Sequence, residues 1–81
     1  MKIAIKYCAQ WNYLPRASSL GDELKKNLGA EIELVAGSNG VFDISLDGNM
    51  IYSKFEEGRF PQTEDILSRV SHKSRRRIDK V

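Results

Sequence analysis

The sequence predicts an α/β domain of order β-α-β-β-β-α, with a four-stranded mixed sheet in the order 2-1-3-4 and both helices on one face. Three observations predict it. The apolar period switches from two to three-and-four after the first strand and then back to two. One helix separates the first two strands, which makes them parallel neighbours through a right-handed crossover. An Asp47-Gly48 pair between two alternating runs then signals an antiparallel hairpin, because a type I′ turn needs positive φ at both central residues.

Residues 2–7, KIAIKY, place Ile3, Ile5 and Tyr7 on one face of a strand. Leu14, Ala17, Gly21, Leu24 and Leu28 then recur at three and four, with Leu20 widening the stripe, as an amphipathic helix requires. Gly29 follows as a C-terminal stop, with Lys25 and Lys26 near the negative end of the macrodipole. Pro15 has no N–H to donate, so it must fall in the first turn, and Asn12 and Leu14 are the two candidate N-caps. Residues 31–36 (EIELVA) form the second strand, residues 37–40 (GSNG) a loop, and residues 41–46 (VFDISL) the third strand. After Asp47-Gly48 the chain returns as a fourth strand over residues 49–54, followed by a loop. Pro61 opens a second helix with Glu64 and Asp65 in its first turn and Ile66, Leu67 and Val70 on its apolar side. Beyond Val70 the pattern lapses, and residues 72–81 read as a basic, flexible tail following a domain of residues 1–71. The expected core is Ile3, Ile5, Leu24, Leu28, Phe42, Ile44, Ile66 and Val70. With the first strand central, this is the minimal thioredoxin-like arrangement. It sets Cys8 at the carboxyl edge of the sheet, where open α/β sheets carry their sites.

Composition excludes several functions. One Cys and one His among 81 residues are too few soft ligands for a closed zinc site, so no metal is expected. A single cysteine forms no disulfide within the chain, and without a signal-peptide pattern it points to a reducing cytoplasm. No apolar run is long enough to span a bilayer. The formal net charge of +2 is unevenly spread: residues 1–71 hold 8 Lys/Arg and 10 Asp/Glu, so the body is mildly acidic and the basicity belongs to the tail. Nucleic acid is therefore not the expected partner, since a nucleic-acid domain carries its positive charge on the folded surface. The tail run SHKSRRR reads as a solvated segment.

The strand ending in YCAQWNYLPRA before a helix, then GSNGVFDISLDGNMIYSKFEEGRFP, then an apolar helix, resembles the selenoprotein W-like (Rdx) family of small thioredoxin-fold proteins. The resemblance covers residues 2–71, and its distinctive pieces are Tyr7-Cys8, Gly40-Val41-Phe42, Asp47-Gly48 and Gly58-Arg59-Phe60-Pro61. It implies a thiol-redox role through Cys-x-x-Cys or Cys-x-x-selenocysteine, with no cofactor but with glutathione or a client protein as partner. Cys8 matches the first position of that motif, and the resemblance places its sulfur on a surface loop. The second position is Trp11, which has no thiol to resolve a mixed disulfide, so the role implied is that of a monothiol.

Two readings of Cys8 follow. It is a small buried hydrophobe, or it is a nucleophile that must be stabilised as a thiolate. Neighbours that would do so are sparse in sequence, because no cation follows Cys8 before Arg16 and Pro15 holds the helix start away. Trp11 either packs over the sheet edge beside Tyr7 and Tyr13 or stands exposed as a platform for a partner. In this topology Ser38, Asn39 and Gly40 lie beside the Cys8 loop, where their amides could meet a peptide or glutathione backbone. Trp11, Tyr13, Ser38, Asn39 and Gly40 are thus the candidate binding residues around Cys8. A non-catalytic protein-binding module on the same scaffold is the alternative to redox chemistry.

Overall fold

The computed structural model describes the backbone of residues 1–79 and the side chains of residues 1–71. Its elements are β1 (Lys2–Cys8), α1 (Leu14–Leu28), β2 (Glu31–Gly37), β3 (Phe42–Leu46), β4 (Asn49–Ser53), α2 (Lys54–Glu57) and α3 (Thr63–Asp79). The sheet order is β2-β1-β3-β4, as the sequence predicts. β1 pairs parallel with β2, Ile3 opposite Ile32 and Cys8 opposite Gly37. On its other side β1 pairs antiparallel with β3, Ile5 opposite Ile44 and Tyr7 opposite Phe42.

Alternation along the strands sends one set of side chains to a single core. Ile3, Ile5, Phe42, Ile44, Leu46 and Tyr52 from the sheet meet Ala17, Leu20 and Leu24 of α1 and Ile66 and Val70 of α3. Both long helices therefore cover the same face. Seven of the eight expected core residues are buried, and Leu28, at the last turn of α1, is half-buried against the cluster. Gly21 lets α1 lie close to the sheet, since a Cβ there would stand 3.0 Å from Ile32 Cγ2.

The Asp47-Gly48 turn has φ of 49° and 89° at its two residues, the type I′ signature. Asp47 also ties the hairpin to β1: its amide donates to the Lys2 carbonyl at 2.8 Å, and its Oδ1 accepts the Lys2 amide at 2.9 Å. A bulge in β4 lies between the pairs Ile44–Tyr52 and Ser45–Met50 and keeps Tyr52 on the core face.

Each strand differs from the sequence reading by one residue at one end, and Pro61 does not open the last helix, which starts at Thr63 where Asp65 caps the Gln62 amide. Three further boundaries differ more. Neither Asn12 nor Leu14 caps α1: Tyr13 is the N-cap, and it makes no side-chain cap bond. Asn12 instead takes a left-handed φ of 59°, a conformation asparagine tolerates better than most residues. The segment after β4 is not all loop, because residues Lys54–Glu57 make one helical turn that Gly58 closes at φ 80°. Helix α3 continues to Asp79, beyond the apolar stripe that ends at Val70. The basic tail expected over residues 72–81 rests on side chains that lie outside the described residues. Among the described residues, no helix is long and apolar enough to cross a membrane.

Candidate functional site

The carboxyl end of β1 and the two loops beside it form the candidate site. Cys8 is the last residue of the central strand, and its side chain is buried, with 0% of its surface exposed. This corrects the surface-loop position implied by the family resemblance. The cause lies in the loop that follows, which folds back on the strand end instead of leading straight into α1. The Tyr13 amide donates to the Cys8 carbonyl at 3.1 Å, and the Asn12 amide donates to the Ala9 carbonyl at 3.3 Å. The left-handed Asn12 makes that reversal, and the Trp11 amide then donates to Cys8 Sγ at 3.3 Å. A thiolate accepts such a bond more strongly than a thiol does. The amide of the position where a second thiol would stand thus faces the sulfur. Spacing alone does not show this donor, because it depends on the backbone turn between residues 9 and 12.

The 38–40 loop does lie beside Cys8. Ala9 donates to the Gly37 carbonyl at 3.2 Å, and Val41 donates to the Ser38 carbonyl at 3.3 Å across a turn. Asn39 and Gly40 in that turn have φ of 60° and 75°. The Trp11 ring lies directly on Gly40, where a Cβ would stand 2.6 Å from Trp11 Cζ3. Trp11 nevertheless remains 60% exposed: one part of the ring packs on Gly40 while most of the indole faces solvent. Ser38 and Asn39 are exposed, and Gly40 is buried beneath the ring.

From Trp11 an aromatic chain runs away from the thiol. Trp11 meets Tyr13 edge-on at 6.0 Å between centroids, and Tyr13 meets Phe60 at 4.8 Å and Phe42 at 6.3 Å. Arg16 lies over the Phe60 ring at 4.2 Å, and Lys54 approaches the same ring at 5.2 Å. A groove of about 470 Å3 opens here, lined by Pro15, Arg16 and Leu20 on one side and by Phe42, Phe60 and Pro61 on the other. The sequence reading did not assign Arg16, Lys54 or Phe60 to a site. Phe60-Pro61 just before a helix was the available signal, but only the tertiary fold brings that pair to Tyr13 and Arg16.

The loop that carries Phe60 is held on both flanks. The Tyr52 hydroxyl donates to the Arg59 carbonyl at 2.6 Å, and Arg59 pairs with Asp65 at 3.0 Å. Asp65 also accepts the Gln62 amide at 2.9 Å, which closes the first turn of α3. The hydrogen bond from Arg59, and after it that from the Gln62 amide, hold the Asp65 carboxyl below its usual range. Behind this, Arg69 donates to the Ile51 carbonyl at 2.8 Å and pairs with Glu57 at 3.0 Å. Glu57 is held low chiefly by that hydrogen bond, and burial raises the Tyr52 phenol.

A thioredoxin-like sheet with one thiol at the end of its central strand is the class that fold and site define. The model of the Rdx family matches residues 2–72, and the chain belongs to that family. It is similar to a crystal structure of a protein from Bordetella parapertussis, at 36% identity and a TM-score of 0.83, over 88% of this chain and 94% of that one. A selenoprotein W-related protein from Vibrio cholerae is similar at 35% identity and a TM-score of 0.76, over 88% and 92% of the two chains. The chain is also 31% identical over 78 residues to migration and invasion enhancer 1 of Bos taurus, matching 91% of this chain. The chain spans only 65% of that relative's length.

Proposed function

We propose that the protein is a thiol-redox protein acting through Cys8 alone. The observation that carries this reading is the Trp11 amide donating to Cys8 Sγ at the carboxyl end of the central strand. The Cys8 thiolate attacks one sulfur of glutathione disulfide or of a client disulfide. A bond from Cys8 to that sulfur forms as the attacked S–S bond breaks and releases a thiolate. With Trp11 in the second position, an external thiol then attacks the mixed disulfide and frees Cys8 as the leaving thiolate. Reduced glutathione in a reducing cytoplasm supplies that thiol. Because Cys8 is fully buried, residues 9–12 must open before the sulfur can be reached.

The contrast between a buried thiol and a Trp that is 60% exposed favours a second reading, a protein-binding module that keeps the scaffold without its chemistry. One experiment separates them. Incubation of the native protein with oxidised glutathione, followed by mass spectrometry, should yield an adduct on Cys8. Alkylation of Cys8 should also run faster than global unfolding permits, because opening one loop exposes less than unfolding the domain. An adduct that appears only in denaturant would remove the redox reading and leave the binding module.

A further inference from the structure

We propose that the groove between α1 and the segment leading into α3 docks an acidic peptide segment of a partner protein, with an apolar side chain in the groove and carboxylates on its rim. This goes beyond the reading of Cys8, because no part of it uses the thiol. The floor is apolar and aromatic, with Leu20, Phe42, Phe60 and Pro61 lining a space of about 470 Å3, well within the size that holds a large side chain. Arg16 is the cation that lines the groove, and Lys54 reaches the Phe60 ring from outside that lining. Arg16 and Lys54 both converge on the Phe60 ring, and neither pairs with an acid among the described residues. Two of the acids nearby are engaged, Asp65 by Arg59 and Glu57 by Arg69, while the exposed Glu56 and Glu64 make no ion pair among the described residues. Arg16 is thus a cation without an acid partner among the described residues, set directly at an apolar groove. Thr63, at the start of α3, adds the positive end of a helix to the same rim.

The shape favours an extended chain over a compact small molecule. The apolar surface continues past the groove through Tyr13 to the exposed Trp11, with Leu14, 44% exposed, following in sequence. An extended segment can lie along such a strip and present one side chain to the groove, with its charges toward Arg16 and Lys54.

The test uses the full chain with its thiol kept reduced, so that failure of the redox reading leaves the result unaffected. Two end-blocked peptides, Ac-Gly-Glu-Leu-Glu-Gly-amide and Ac-Gly-Lys-Leu-Lys-Gly-amide, are titrated to several millimolar while amide and indole NMR shifts are followed. The acidic peptide should move signals of Arg16, Phe60 and Trp11, and its binding should weaken as salt rises. Arg16→Gln with Lys54→Gln should lower its affinity by about 3- to 10-fold, as two partly exposed charge pairs allow. Lys25→Gln, at the far end of α1, should leave it unchanged. Equal binding of both peptides, binding of neither, or indifference to the double substitution would overturn the proposal. Groove signals that shift with protein concentration alone would also overturn it, because the occupant would then be a second copy of the chain.

Discussion

Gly40 meets two demands at once, a φ of 75° and room for the Trp11 ring on its Cα. Gly48 meets only the first, with φ at 89° and nothing within 4 Å of a Cβ built there. The two positions therefore separate backbone strain from steric conflict. Gly48→Ala should cost about 1–2 kcal/mol, the strain of a left-handed alanine. Gly40→Ala should cost more, about 2–4 kcal/mol, because the indole must also leave its seat. Denaturant melts check this, and repeating Gly40→Ala in a Trp11→Ala chain should bring its cost down toward that of Gly48→Ala. If the cost is the same with and without the indole, Trp11 does not sit on Gly40. The nearness of the two loops is legible in the sequence, because the β1–β2 crossover fixes it. The burial of Cys8 is one of the two readings the sequence allows, and what decides it is a reversal at Asn12 that an asparagine permits but does not dictate.

Helix α1 shows how much one element can be read in advance. Its stripe of Ala17, Gly21 and Leu24 is buried as the spacing requires, and Gly29 stops it with φ at 64°. Leu24→Ala should cost about 2–5 kcal/mol, the range for deleting a buried leucine side chain; thermal or urea melts measure it, and a loss under about half a kcal/mol would mean another register. Its start was less legible. Side-chain hydrogen bonding favours Asn12 as the cap and Pro15 favours Leu14, yet the cap is Tyr13, whose ring is held by Phe42 and Phe60. Packing against distant residues outweighed the local preference for a polar cap, which is worth about 1 kcal/mol. The single turn of α2 was missed for a related reason: four residues are too short to carry a helical period.

Across the whole molecule, two ion pairs fix the β4–α3 connection to the body, and both make stability depend on acid. Glu57 and Asp65 titrate below their ordinary values of 4.5 and 3.8 when folded. The folded state thus binds protons less readily than the unfolded chain. The stability from these groups is complete above the unfolded values and is lost as pH falls through the folded ones. The melting temperature should accordingly hold from pH 7 to about 5 and drop below about pH 4. Asp65→Asn should melt lower than the parent at pH 7 and lose less on acidification. A parallel pH profile for the two proteins would show that the Arg59–Asp65 pair contributes nothing to acid sensitivity.

Periodicity, one turn pair and chain order were enough to determine the sheet order, the hairpin, the core and the place of Cys8 at a strand end. These follow from which faces must be buried and which connections a right-handed chain allows. Only the tertiary structure decided how that strand end is finished. It buried the sulfur beneath its own loop and set the Trp11 amide on it. It also seated the indole on Gly40 and gathered Tyr13, Arg16 and Lys54 around the Phe60 ring. Each of these depends on contacts between segments distant in sequence, or on a left-handed residue whose neighbours hold it there. A local pattern carries no record of either.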